Sequence, residues 1–323
     1  MNSRTNDAPQ SATFVASLSD VGRVRSVNED SCDSFLRSDG TRLLVVADGM
    51  GGHRGGAVAS REALATIAST FTESTLDPAR DPASLLVRAI ERANERVFSL
   101  ARQDPELAGM GTTVVAFLLD AEGRGAVAHV GDSRAYRLRG GRLEALTSDH
   151  SVVAEMLQRG VLTAEEAAFH PRRNEILRSV GVLPDVEVEL ATVEVAPDDW
   201  FLLCSDGLCG VVSDAEIEEV LVHTRSPQAA VTALVDLAND CGGPDNVTVQ
   251  ILAIPPAPKG DPKPADSSTA TGGVATANSA SRAASRGSED APTDASPRPR
   301  SVAATVIALA LVAAGAYWLS RLA

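Results

Sequence analysis

Between residues 11 and 254 the apolar residues fall into short runs separated by Gly, Asp and Pro breaks, the pattern of an ordered domain. The runs at 42–47, 112–119, 126–130 and 200–204 are rich in β-formers and predict strands, and 250–254 closes another. Leu85, Leu86, Ala89, Ile90, Ala93, Val97 and Phe98 follow helical spacing instead, behind an Asp81-Pro82 start signal. Residues 57–71 predict a second helix. Ser213-Asp-Ala-Glu216 is a capping box that opens a third. Ser226-Pro227 opens a fourth, with Ala230, Ala233, Leu234 and Leu237 on one face. Two helices come early, two come late, and strands fill much of the rest. That order disfavours a doubly wound parallel sheet and predicts an α+β fold of sheets flanked by helix pairs.

The pattern changes past residue 254. Residues 255–300 hold Pro-rich and Ser/Thr/Ala/Gly tracts with almost nothing to bury, which predicts a disordered linker. Residues 302–319 carry no charge, and at 1.5 Å per residue they span about 27 Å, close to the ~30 Å hydrocarbon core of a bilayer. Tyr317 and Trp318 sit at the far end, where interfacial aromatics belong. Arg298 and Arg300 precede the segment and Arg321 follows it, which places the linker side inside the cell. An Ala-rich core or amphipathic helix is the competing explanation, and the segment lacks the polar face of the latter. The expected organisation is a tail at 1–11, a folded domain at 12–254, the linker at 255–300 and a transmembrane helix at 301–323. A single-pass tail anchor in the cell (inner) membrane, with the folded domain cytoplasmic, follows from it. The polar residues 1–10 hold no apolar stretch of a secretory signal.

Composition narrows the chemistry. Hydrophobic residues make up 44% of the chain but aromatics only 3%, so the core must be aliphatic. A net charge of −14, from 43 acids against 29 bases, argues against a nucleic-acid partner and favours divalent cations. The four cysteines form no C-x-x-C and join no His at zinc spacing, so reduced thiols are expected rather than a structural zinc.

The placement of Asp is more informative. The run 43–47 leads into Asp48-Gly49, and 200–205 into Asp206-Gly207. The run 126–130 leads into Gly131-Asp132, while Asp245-Asn246 stands just before 247–252. One such Asp is explained by a turn, since Asp-Gly is a common hairpin signal. Four at the mouths of strands sharing a sheet end would repel one another, and a hard divalent cation is the simplest neutraliser. All-oxygen ligation points to Mg²⁺ or Mn²⁺, and three or four acids can hold two ions in the arrangement that activates water for phosphoester attack.

The glycine-rich stretch 49–56 fails both dinucleotide and Walker A frames. Its glycines let the backbone approach an ion or anion. The cluster Arg25-Ser-Val-Asn28-Glu29-Asp30 has two explanations. One is an exposed charged turn. In the other, Arg25 binds a phosphate through its fork, while Glu29 and Asp30 orient metal-bound waters.

Taken in order, these residues resemble a known family. The motifs are Arg25 to Asp30, Val46-Ala-Asp-Gly-Met-Gly-Gly-His53, Gly109-Met-Gly-Thr-Thr113, His129-Val-Gly-Asp-Ser-Arg134, Ser148-Asp-His150, Leu203-Cys-Ser-Asp-Gly-Leu208 and Gly243-Pro-Asp-Asn-Val-Thr248. The set resembles the metal-dependent protein serine/threonine phosphatases of the type 2C class, in their compact bacterial form, over roughly residues 12–254. The resemblance implies an α-β-β-α sandwich of two antiparallel sheets with helices outside. It also implies a binuclear Mn²⁺ or Mg²⁺ site in a cleft at one end. Asp48 would bridge the ions, the Gly49 carbonyl would bind one, and Asp206 and Asp245 the other. Glu29 and Asp30 would hold coordinating waters and Arg25 the substrate phosphate. Asp132 with Asp206 would match a third, weaker metal position. Residues 150–180 would form a mobile flap.

In the implied mechanism a hydroxide bridging the two ions attacks phosphorus in line, without a phosphoenzyme. Eukaryotic members carry a His where this chain has Met50, and His53, three residues on, is the candidate proton donor. His129 is expected in the core, His150 at the head of the flap, and His170 and His223 on the surface. The implied partners are phosphoproteins: serine/threonine kinases and their substrates at the same membrane. A binding module that had lost catalysis should also have lost metal-binding acids, and all are present. A different phosphoester substrate stays open.

Overall fold

The structure is a computed structural model that describes residues 14–51, 54–73 and 82–256. The chain divides into two units, Met1–Asp261 and Pro262–Ala323, and the second lies wholly outside the described residues. So do the tail at 1–11, nearly all of the linker, the expected span at 302–319, Asp81 of the helix start signal, and His53. Among the described residues, no helix is long and apolar enough to cross a membrane.

The strands and helices run, in chain order, β1 (Phe14–Asp20), β2 (Asp30–Leu36), β3 (Arg42–Met50), α1 (Gly55–Glu73), α2 (Pro82–Gln103), β4 (Gly111–Thr112), β5 (Val114–Leu119), β6 (Arg124–Val130), β7 (Arg134–Arg139), β8 (Arg142–Ala145), α3 (Val152–Gln158), α4 (Ala164–Ala168), β9 (Glu189–Glu194), β10 (Trp200–Cys204), α5 (Asp206–Cys209), α6 (Asp214–His223), α7 (Pro227–Asp240) and β11 (Val247–Ala253). Two sheets form. One has the order β1-β11-β10-β7-β8, and the other β2-β3-β5-β6-β9 with β4 also on β3. Every pairing is antiparallel.

Alternation along the strands explains the layers. In β5 all six residues are buried because both faces are covered. Val114, Ala116 and Leu118 join the core under α1 and α2. Val115, Phe117 and Leu119 point the other way, into the core between the sheets. There Phe117 stacks on Phe201 of β10 at 4.3 Å between ring centroids. The second sheet turns Val249 and Ile251 of β11 outward under Ile217 and Leu221 of α6 and Ala230, Val231 and Leu234 of α7. The result is helix pair, sheet, sheet, helix pair, the α-β-β-α sandwich that was expected.

The structure corrects several element boundaries. The strand expected at 42–47 runs on through Asp48 to Met50, because Asp48 pairs with Asp30 and Gly49 with Thr112. The strand expected at 112–119 is two strands. Thr113 leaves the ladder to bond Asp48. The last strand is Val247–Ala253. Both predicted caps hold: Ser213 closes a reciprocal capping box with Glu216, and the Ser226 hydroxyl accepts the Ala229 N–H.

Candidate metal centre

The predicted acids come from both sheets and meet at one end of the sandwich. Asp30 opens β2 directly opposite Asp48 on β3. Asp206 follows β10 and opens the short helix α5, with Ser205 at the N-cap position but its hydroxyl bonded to Asp30 and the Thr248 N–H instead of the helix. Asp245 precedes β11, and Asp132 lies in the turn that carries the chain from β6 in one sheet to β7 in the other. A cleft of about 520 Å³ opens over Asp48, Asp206 and Asp245, lined also by Arg25, Val27, Glu29, Gly49, Met50, Thr113 and Asn174 among others. Asp132 lines an adjoining cleft of about 690 Å³ that shares Asp206 and Asn174 with the first.

Neighbouring residues hold these carboxyl groups in place. Oδ2 of Asp30 accepts from Ser205 Oγ at 2.8 Å and from Thr248 Oγ1 at 2.7 Å, which ties β2 to β10 and β11. The backbone of Asp48 is clamped by the Thr pair. Its N–H donates to Thr113 Oγ1 at 3.1 Å, and its carbonyl accepts from Thr112 Oγ1 and Thr113 N, both at 2.8 Å. Thr113 Oγ1 in turn bonds Ser133 Oγ at 2.7 Å, beside Asp132. Asn246 fixes the loop that carries Arg25 and Glu29. Its side chain accepts the Glu29 N–H at 2.8 Å and donates to the carbonyls of Val21 and Val27 at 2.9 and 3.0 Å. Gly49 packs against the backbones of Glu29 and Gly56, where a Cβ would stand 2.5 and 2.2 Å from their carbonyl oxygens. Position 49 therefore needs glycine, and its residue lines the cleft beside Asp48.

The electrostatics are those of a site built for cations. Burial pushes Asp30 up to about 6 against the bonds from Thr248 and Ser205. Burial, then repulsion from Asp206 and Asp149, pushes Asp132 up to about 7. Asp48 is raised well above the ordinary carboxylate range by burial and by its neighbours Asp30 and Asp206. Asp206 is raised by burial and by Asp245. Glu29 is raised by burial, against Arg25 and the Ala57 N–H at the start of α1. Oδ1 of Asp30, Asp132 and Asp206 is in each case buried with no hydrogen-bond partner. Buried, unpartnered, mutually repelling carboxyl oxygens fit hard divalent cations, and an all-oxygen donor set fits Mg²⁺ or Mn²⁺.

Arg25 lies on the cleft wall, half-exposed, with Nη2 donating to Asp245 Oδ2 at 2.8 Å. Its guanidinium has further N–H donors for an anion. Asp30, Asp48, Asp206, Asp245, Asp132, Glu29, Gly49 and Arg25 are thus brought together, while His53 falls outside the described residues. The reading of single residues missed the hydroxyls and amide that position the acids: Thr112, Thr113, Ser205, Asn246 and Thr248. Their signal was present, since each stands inside a quoted motif.

A second cluster lies off the cleft. His129, His150 and Glu189 bring ligand-type atoms within 4.8 Å of one another. The two imidazoles are stacked, with centroids 4.5 Å apart and planes 25° apart. An ion bound by both rings would have to lie near both ring planes, which stacking prevents. The ring nitrogens already have partners, with His129 Nε2 donating to the Ser148 carbonyl at 2.8 Å and His150 Nε2 facing Glu189 Oε2 at 3.1 Å. Burial lowers the pKa of His129. It is the satisfied core histidine expected.

Comparison with known proteins agrees with this geometry. Residues 22–245 match the model of the family described as Protein phosphatase 2C. The chain is 40% identical over 234 residues to a serine/threonine phosphatase of Listeria welshimeri, covering 72% of this chain and 92% of that protein. The solved Mycobacterium tuberculosis serine/threonine phosphatase PstP/Ppp matches with 39% identity and a TM-score of 0.69, over 75% of this chain and 99% of that one. A PstP catalytic domain solved in complex with two manganese ions matches with 37% identity and a TM-score of 0.66, over 75% of this chain and 98% of that one.

Proposed function

The chain belongs to the protein phosphatase 2C family and is a protein serine/threonine phosphatase, and we propose that it works as a metal-dependent hydrolase tethered to the membrane, opposing serine/threonine kinases there. The observation that carries the metal dependence is the set of buried carboxyl oxygens without partners on Asp30, Asp132 and Asp206.

Asp48, the Gly49 carbonyl, Asp206 and Asp245 would hold two Mn²⁺ or Mg²⁺ ions, Glu29 and Asp30 would orient waters about them, and Asp132 with Asp206 would provide a third, weaker position. Bound there, such ions supply Lewis acidity, which lowers the pKa of water and offsets charge on the phosphoryl oxygens. Arg25 binds the phosphoryl group through its free N–H donors and so orients phosphorus over Asp48. Ser205 and Thr248 both donate to Oδ2 of Asp30 and fix that carboxyl group, leaving Oδ1 without a partner. The rigid β2–β3 pairing holds Asp30 and Asp48 in register. His53 is the proposed donor of the proton that the departing serine or threonine oxygen takes up.

The support for tethering is the uncharged stretch 302–319 and its flanking arginines, joined to the domain by the Pro-rich linker. Tethering raises the effective concentration of phosphoproteins held at the same surface.

The test is p-nitrophenyl phosphate and phosphopeptide hydrolysis by the full chain, with Mn²⁺, with EDTA, and in variants. Activity should require Mn²⁺ and fall by roughly 10²–10³ in Asp48→Asn. His53→Ala should lose at least about tenfold if it is the general acid, since such groups contribute roughly 10²–10⁴. Folded protein that is inactive at every Mn²⁺ concentration would sink the metal-dependent reading, and a smaller loss in His53→Ala would remove that residue from the mechanism.

A further inference from the structure

His150 makes more contacts with the elements around the site than a flap-entry residue needs. Its backbone N–H donates to the Gly131 carbonyl at 2.9 Å, and its ring Nδ1 accepts the Gly131 N–H at 3.2 Å. One residue thus holds both polar groups of Gly131, in the turn at φ +111° that immediately precedes Asp132. The His150 carbonyl accepts the Leu177 N–H at 2.7 Å. Ser151 pairs with Ile176 and Val152 N–H reaches the Glu175 carbonyl at 3.0 Å, so the two ends of the 151–176 segment close directly on His150. With Nδ1 accepting, the ring proton sits on Nε2 and points at Glu189 of β9. Stacking on His129 fixes the ring plane. The side chain is 5% exposed.

We infer that His150 is a positioning residue that sets the Gly131–Asp132 turn and couples the 151–176 segment to it. The inference rests on the proposed metal-dependent reading and extends it. His150 touches none of the reacting groups. It acts on the ion position at Asp132 through the backbone of Gly131, and the chemically necessary feature is an acceptor at the place of Nδ1. Glu189 holds the ring through Nε2, in the way that partners outside a coordination shell orient ligands within it.

This separates two substitutions of the full chain. Asn places a side-chain oxygen near the position of Nδ1 and keeps the acceptor. Phe keeps the bulk and loses it. In Mn²⁺ titration by calorimetry, His150→Phe should weaken the weakest Mn²⁺ position by about tenfold or more, the range seen on losing such outer partners. His150→Asn should stay within about threefold of the parent protein, since its acceptor is retained. Amide hydrogen exchange without metal should quicken at Gly131 and across 151–176 in the Phe variant only. Turnover should follow the same split, with a raised Mn²⁺ requirement in the Phe variant. A Phe variant with the parent's isotherm and exchange would overturn the inference, as would an Asn variant as impaired as Phe. If the Phe variant does not fold, the Asn variant decides, and a tenfold loss of Mn²⁺ affinity there counts against the acceptor role. If the parent protein binds no Mn²⁺, the underlying reading fails, and exchange at Gly131 still tests the clasp on its own.

Discussion

At the residue scale, the carboxyl groups of the cleft work against the stability of the fold that presents them. Asp30 and Asp132 are pushed up to about 6 and about 7 from an ordinary value of 3.8, chiefly by burial. A carboxyl whose pKa is higher folded than unfolded holds its proton more tightly in the native state. It therefore favours folding at low pH and opposes it as pH climbs past the unfolded value, with the penalty complete above the folded one. Without metal, the cluster's contribution to stability should rise as pH falls from about 8 towards 5, while at pH 7.5 added Mn²⁺ should raise Tm. Asp48→Asn removes a buried acid whose pKa is raised by burial and by Asp30, Asp206 and Asp132, and with it that acid's cost to folding above its unfolded pKa, so the metal-free variant should melt higher than the parent at pH 7.5 while losing activity. A gain of about 1–2 kcal/mol corresponds to roughly 2–8 °C for a domain of this size. Thermal melts at several pH values, with EDTA and with Mn²⁺, check both signs. A metal-free Asp48→Asn that melts lower would show that its carboxylate is satisfied in a way the structure does not contain.

At the element scale, legibility followed chemistry. The β10 strand is legible to the residue because its five positions are uniformly apolar. The local pattern of β3 stops at Ala47, since Asp48 and Gly49 are poor strand formers and their pairing with β2 and β4 keeps them extended. The β2 strand itself, DSCDSFL, is an edge strand with no fully buried residue, and local pattern alone does not reveal it. The β7 strand reads as charged until its arginines find Asp149, Glu144 and Asp199. The α5 helix, four residues long, gives no period to detect, yet it delivers Asp206. Its second residue, Gly207, packs so closely on β11 that a Cβ would stand 1.9 Å from the Asn246 carbonyl oxygen. Gly207→Ala must therefore push α5 away from the start of β11, separating Asp206 from Asp245 and disturbing the Asn246 bonds to Val21, Val27 and Glu29. The variant should lose roughly 1–3 kcal/mol of stability, the usual cost of overpacking. Its Mn²⁺ requirement should rise beyond what that loss explains when assayed well below its Tm. A variant with unchanged Mn²⁺ dependence would show that α5 moves as a unit with β11.

At the scale of the whole molecule, the alternation of early helices, strands and late helices excluded a parallel doubly wound sheet, but the four-layer stacking came from the family resemblance. Periodicity cannot say which sheet faces which, since β5 and β3 are buried on both faces. The order of layers also sets where the chain leaves. The β11 strand begins beside Asp245 at the cleft and runs seven residues, about 20 Å, to Ala253. The described residues therefore end at the opposite pole of the sandwich from the metal centre. For the proposed tether, the composition of residues 255–300 predicts a 46-residue linker reaching about 35–40 Å r.m.s. on the flexible-chain relation. Catalysis on a small substrate should then be independent of the tail, and catalysis on a membrane-held phosphoprotein should depend on it. The full chain should sediment with membranes and need detergent for release, while a 1–256 fragment stays in the supernatant with kcat/KM for p-nitrophenyl phosphate within about twofold of the full chain. On a phosphorylated domain anchored in the same vesicles, the fragment should fall behind by roughly 10²-fold or more, the gain that tethering gives. A full chain that is soluble without detergent would refute the anchor, and a fragment that lost small-substrate activity would show that the tail contributes to the site itself.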